Sequence, residues 1–269
     1  MDLNFLFAKY LEVLEIEKSQ PNISLLKKVV KAHLIKVPFE NISKLLYKKQ
    51  AMNYIPDLST YLNGIEKYNF GGTCYSNNYY LYSLLKHLGY NVKLCGADMK
   101  NPDVHLISIV SIDDREYIVD GGYAAPFFDP LPRDLSANHI INYAKEKYII
   151  KPRDQLGRTK VEQYYDGKLQ HWYTAKPQLR TLEEFRKVIE DSYSDDAAFM
   201  NAIRITKYNE NGSLVLKNLS FTVTIAKKSS AIKLSRAEIP VVIKENFKIP
   251  SNVVLEAISS IKELKDIYD

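Results

Sequence analysis

The sequence predicts an α+β protein with a helical N-terminal region, a β region and an α/β C-terminal region. Three observations predict it. Apolar residues recur at helical spacing through the first third of the chain, the period changes to two after Gly89, and the last third mixes both patterns. The expected division is 1–89, 90–180 and 181–269.

The elements follow in order. Leu3, Leu6, Phe7, Tyr10 and Leu14 mark a first helix, and Ile23, Leu26, Val30 and Leu34 a second. Val37-Pro38 closes the second, because the residue before a proline is pushed out of the α region. A short third helix is expected over 58–65, and Gly71-Gly72 then breaks the pattern. The next helix starts near Cys74, carries Leu81, Leu84, Leu85 and Leu88 on one side, and ends at Gly89. Strands are expected at Val92-Leu94 and over 106–112, 117–119, 148–150, 161–165 and 170–174. A helix over 182–193 precedes strands over 203–208, 213–216 and 219–225, with Asn211-Gly212 as a hairpin turn. Helices over 240–246, with Pro240 in the first turn, and 253–267 close the chain.

Composition narrows the function classes. A chain of 269 residues with 46% hydrophobic content buries a substantial core and is not largely disordered. The net charge of +5 is no signature of a nucleic-acid partner and suits anionic small molecules equally well. No apolar run nears the roughly 18 residues of a membrane span, and no apolar signal follows the start. The expectation is a soluble cytoplasmic protein without membrane or nucleic-acid partners. Cys74 and Cys95 are too few for a disulfide scaffold and give no zinc spacing, so no metal is expected.

The segment Phe70-Gly71-Gly72-Thr73-Cys74 delivers a cysteine to the first turn of a helix. Unpaired N–H groups and the helix dipole there favour a thiolate and can hold an oxyanion. Read alone, the segment also fits a buried structural cysteine. Cys95 has neither glycine turn nor helix start and reads as a packed strand residue.

A cysteine nucleophile needs a base. His87 lies more than three turns along the Cys74 helix, and His33 is expected on a solvated helix surface. No pattern gives His139 or His171 an acidic partner. His105 opens one strand, Asp120 ends the next, and Asp113-Asp114 is the turn between them. Pairing Ile112 with Arg115, or Ser111 with Glu116, places Asp120 opposite Ile107. His105 and Asp120 are then diagonal neighbours on one face, about 7–8 Å apart along the backbone. A one-residue slip would separate them. Either residue alone fits a structural role; with Cys74 they compose a Cys-His-Asp triad in a papain-like arrangement.

With these residues on the page, the sequence resembles the arylamine N-acetyltransferases. The matching motifs are Gly71-Gly72-Thr73-Cys74 with Asn78, Pro38-Phe39-Glu40-Asn41, Val104-His105-Leu106, the 117–123 stretch through Asp120-Gly121-Gly122, and Pro130-Leu131. Ser194 to Phe199 and the 234–249 segment resemble the C-terminal parts, so the likeness spans nearly the whole chain. It implies a helical bundle, a central barrel-like β domain and a C-terminal α/β lid. It implies acetyl-coenzyme A as co-substrate, a Cys74 thioester, His105 as base, Asp120 as its orienting acid, and a small aromatic amine or hydrazine, xenobiotics included, as acceptor. Phe39, Phe70 and Val104 are the expected acceptor-binding residues, and Ser194 and Phe199 the expected coenzyme contacts. Two departures stand out. Phe70 and Ser76 replace the family's Arg and Glu, with Phe70 expected to pack on the Cys74 helix. Ser194-Asp195-Asp196-Ala197 also differs from the family's Ser-Pro-x-Ser. An amide synthase, a thiol hydrolase or a non-catalytic homologue are the competing functions.

Overall fold

In the computed structural model, which describes residues 2–264, side-chain caps set several helix starts. Asn22 Oδ1 accepts the Leu25 N–H at 2.9 Å and Asp57 Oδ1 the Thr60 N–H at 2.8 Å. These begin α2 (Ile23–Lys36) and α4 (Leu58–Tyr68), and α1 (Leu3–Leu14) follows Asp2. α5 (Cys74–His87) ends with Gly89 at positive φ, and the Tyr90 N–H reaches back to the Leu85 carbonyl at 3.1 Å, a Schellman closure. The apolar stripes of these four helices meet Val110 and Val119 in one core.

An eight-stranded antiparallel sheet, nearly closed like a barrel, follows. Its strands are β2 (Asn91–Asp98), β3 (His105–Ile112), β4 (Arg115–Val119), β5 (Leu131–Pro132), β6 (His139–Tyr143), β7 (Glu146–Ile150), β8 (Thr159–Tyr165) and β9 (Lys168–Ala175). Their order is β5-β4-β3-β2-β9-β8-β7-β6. Cys95, Ile107, Ile118, Tyr148, Val161 and Tyr173 fill its inside, and β3 is buried on both faces because α5 lies against its other side.

The C-terminal third is a 3₁₀ turn and α6 (Arg186–Asp191), then β10 (Arg204–Asn209), β11 (Gly212–Lys217), β12 (Ser220–Ile225), β13 (Lys228–Lys233), α7 (Ile239–Phe247) and α8 (Ser251–Ile258). Its sheet borrows a strand from the N-terminal region. β1 (Phe39–Glu40) pairs with Thr206 and Ile205 of β10. Asn41 completes the seam: its amide donates to the Phe199 and Ala202 carbonyls at 2.8 and 2.7 Å, and its Oδ1 accepts the Arg204 N–H at 2.8 Å. α3 (Ile42–Lys49) then packs on α8 in the C-terminal core.

The fold class is as the sequence predicts, with local corrections. α3, β1, β5, β6 and β13 carried no expectation. The hairpin between β10 and β11 turns at Glu210-Asn211, and Gly212 is already a strand residue opposite Asn209. The last helix stops at Ile258 rather than 267, and the end of that expectation lies outside the described residues. Among the described residues, no helix is long and apolar enough to cross a membrane.

Candidate active site

The turn before Cys74 is fixed from beneath. The Glu40 carboxylate accepts the Gly71 N–H at 3.1 Å, the Ser43 N–H at 2.8 Å and the Ser43 hydroxyl at 2.5 Å. A Cβ on Gly71 would sit 1.9 Å from the Pro38 carbonyl oxygen, so only glycine allows this approach. Thr73 is extended, and Cys74 is the first residue of α5. Its thiol therefore lies in the first turn, among N–H groups that no carbonyl of the helix accepts.

The base and its acid come from the β3–β4 hairpin. Asp113 and Asp114, at φ 50° and 60°, form the two-residue turn. The register runs Ile112↔Arg115 to Ser108↔Val119, so Asp120 follows diagonally across from His105. His105 Nε2 and Asp120 Oδ2 are 2.8 Å apart, with the two residues 1% and 2% exposed. Asn78, one turn along α5 from Cys74, donates to Asp120 Oδ1 at 2.8 Å and accepts the Gly121 N–H at 2.8 Å. The helix that carries the thiol thus also holds the acid. Burial alone would lower the affinity of the His105 imidazole for a proton. The Asp120 charge and hydrogen bond outweigh it, Cys74 adds to them, and the ring is held above its ordinary pKa. Its Nδ1 makes no hydrogen bond of normal length, and Cys74 still favours the charged form of the ring. Catalytic hydrogen bonds of this kind commonly tighten only when substrate is bound.

Cys74 stands between two cavities. One, of about 390 Å³, is walled by Phe39, Val104, Tyr123, Trp172 and Phe199, with Lys100 and Arg204 as its cations. The other, of about 460 Å³, adjoins Tyr75, Val188 and Ser192 and shares Val104 and Phe199. Phe70 lines neither. It is 2% exposed, packed with Ile42, Leu45, Tyr47 and Tyr68 in the C-terminal core, so the expectation that it touches the acceptor is corrected. Ser194 lies in a separate depression beside Tyr54 and Glu190 and donates to the Asp191 carbonyl at 2.7 Å.

Other residues also differ from expectation. His33 is fully buried rather than solvated and meets the Tyr10 hydroxyl through Nδ1 at 3.0 Å. His171 lines the first cavity, 2.7 Å from the Tyr123 hydroxyl, and burial with the nearby His105 and Lys100 charges pulls its pKa down to about 4. Alternation along β9 puts His171 and Tyr173 on one face, but only the pairing of β9 with β2 brings that face to His105. Cys95 is fully buried, and burial pushes its thiol up to about 12. Among the described residues, no cluster of His, Cys, Asp and Glu has the form of a metal site.

Known proteins resemble the chain in sequence and in fold. The chain matches the sequence model of the N-acetyltransferase family over residues 22–254. It is 33% identical over 135 residues to the pineal gland arylamine N-acetyltransferase isozyme NAT-3 of Gallus gallus, a stretch covering 47% of the chain and 44% of that protein. The chain thus spans less than half the length of this relative. With arylamine N-acetyltransferase 1 of Homo sapiens it shares 28% over 208 residues, 66% of the chain and 69% of that protein. The arylamine N-acetyltransferase structure from Mycobacterium abscessus superposes with a TM-score of 0.79 at 15% identity over 94% of both chains, a likeness of fold. A match to the family model across most of the chain makes the chain a member of that N-acetyltransferase family, in which the curated relatives above are named arylamine N-acetyltransferases.

Proposed function

We propose that the chain transfers an acetyl group from acetyl-coenzyme A, through a Cys74 thioester, to the nitrogen of an aromatic amine or hydrazine in a ping-pong sequence. The observation that carries this reading is the buried His105–Asp120 pair, 2.8 Å across, facing a thiol at a helix start. His105 takes the Cys74 proton, and the sulfur attacks the thioester carbonyl of the donor. Coenzyme A leaves as the thiol, with the proton returned from the imidazolium. The amine then attacks the Cys74 thioester and gives its proton to His105, which passes it back to the departing sulfur. Asp120 keeps the ring in the useful tautomer throughout.

The two cavities suit two substrates. Phe39 faces the aromatic-walled one, which suits the acceptor, and Val104 and Phe199 stand at both. Coenzyme contact through Phe199 fits this placement, whereas Ser194 would have to act from outside both cavities. In this reading residues 1–89 carry the nucleophile, 90–180 the base and acid, and 181–269 the closing wall. The reaction belongs in a reducing cytoplasm, where Cys74 and Cys95 stay free thiols.

Intact mass after incubation with acetyl-coenzyme A tests the proposal. One acetyl adduct is expected, discharged by an arylamine, absent in Cys74→Ala and retained in Cys95→Ala. An adduct that persists in Cys74→Ala overturns the proposal. Discharge by water alone would instead make the protein a hydrolase.

A further inference from the structure

Lys44 is the most unusual charge in the molecule that the reaction above leaves unused. It sits on α3 and is 3% exposed, yet it forms no ion pair among the described residues. Its Nζ donates to the Ser192 hydroxyl at 2.5 Å and lies 4.1 Å from the Tyr193 ring centroid and 5.7 Å from that of Tyr75. Two aromatic faces and one hydroxyl are a thin shell for a buried ammonium. Lys44 also lines a small internal void with Gly72, Thr73, Tyr75 and Ser76, the residues on either side of Cys74 in the chain.

We propose that Lys44 is a positioning residue for Cys74: a buried ammonium beside the start of α5 whose charge favours the thiolate. This inference rests on Cys74 being the nucleophile. The surroundings leave Cys74 as its counter-charge. From α5, Tyr75 faces it, from the segment after α6, Tyr193, and from α3 itself, Tyr47, and burial raises all three phenols so that they stay neutral. Asp191, next to Ser192, is engaged by Lys187 at 2.5 Å. Glu40, at the end of β1, is taken up by Ser43 and Gly71. Burial lowers the pKa of Lys44 to about 7, and the charge of Cys74 opposes that shift. Such coupling is reciprocal, so whatever the thiolate does for the ammonium, the ammonium does for the thiolate. Acylation of Cys74 removes the anion and with it the support for the charge on Lys44.

The test is the pH profile of Cys74 alkylation by iodoacetamide, followed by intact mass, in the wild type, Lys44→Met and Lys44→Gln. Methionine replaces a buried unpaired charge by an apolar chain, a change usually tolerated by the fold. Glutamine keeps a donor for Ser192 without the charge. Both profiles are expected to move to higher pH, with alkylation near neutrality slowed roughly tenfold. Profiles superimposable on the wild type overturn the proposal, as does a shift in Lys44→Met that Lys44→Gln lacks, which would make the hydrogen bond and not the charge responsible. A wild-type protein in which Cys74 is not selectively alkylated would instead sink the nucleophile reading itself.

Discussion

Two buried histidines pack against consecutive residues of one turn, and their charges go opposite ways. His105 meets Asp120 at 2.8 Å and is held above its ordinary pKa. His33 lies against Gly121, has the Tyr10 hydroxyl at 3.0 Å as its one hydrogen-bond partner among the described residues, and is pushed down by burial to about 3. Desolvation acts on both rings alike, so the carboxylate makes the difference. Burial by itself makes an inert neutral histidine; burial with one fixed anion makes a base whose charged form is already accommodated.

The strongest way to break this contrast is to remove the anion. Asp120→Asn should drop His105 toward the state of His33 and cut acetyl transfer on the order of 10³–10⁴-fold, with the fold kept. Steady-state kinetics with a circular-dichroism control reads this; an active Asp120→Asn protein would show that the pair is structural. A smaller effect is expected at the turn itself. A Cβ on Gly121 would come 2.6 Å from His33 Cδ2 and 3.1 Å from Leu81 Cδ2. Gly121→Ala should therefore cost about 1–3 kcal/mol of stability by overpacking, measured by denaturant unfolding. Unchanged stability there would mean that His33 has room to move.

The third test is the mildest and sharpens the contrast by sign. Folded His33 binds a proton only near pH 3, whereas an unfolded histidine binds one near its ordinary 6.5. Between those values the unfolded state holds more protons, so stability is complete above 6.5 and falls as the pH is lowered. His33→Gln should abolish this part of the slope. The wild type should lose about 1–2 kcal/mol more than the variant between about pH 7 and pH 5. His105 runs the other way, its contribution being present at low pH and lost as the pH rises through its raised value. Parallel pH–stability curves for wild type and His33→Gln would refute the assignment of His33.

The placement of Cys74, His105 and Asp120 was legible because it is written in short-range signals. A glycine turn, a helix start and a two-residue hairpin fix Cys74, His105 and Asp120 within 47 residues of chain, and strand alternation does the rest. The long helices and buried strands were legible for the same reason. β6 and β13 were not, because both are edge strands; β13 is exposed along its whole length, so no apolar alternation marks it. α3 is eight residues, six of them buried with polar ones among them so that no apolar stripe marks it, its partners lie in α8, and Lys44 is hidden with it. Phe70 was misplaced because an aromatic ring beside the glycine turn before Cys74 fits either the cavity or the core, and only the position of α3 decides between them. His33 was misread because a histidine on a helix carries no local mark of what buries it.

The Asn41 seam has a consequence in time. Its bond to Arg204 closes a loop of 163 residues, and the same seam brings Phe199 and Arg204 to the cavity. At roughly 5–20 residues per second, a ribosome takes about 8–30 s to supply that stretch after Asn41 emerges. Loop closure over such a span is an entropic cost met late in folding. Until residues 199–204 emerge, then, α5 and the β3–β4 hairpin lack the wall that Phe199 and Arg204 supply to the cavity beside Cys74. The emergence of residues 199–204 decides when Cys74 stops being a surface thiol and becomes an enclosed one.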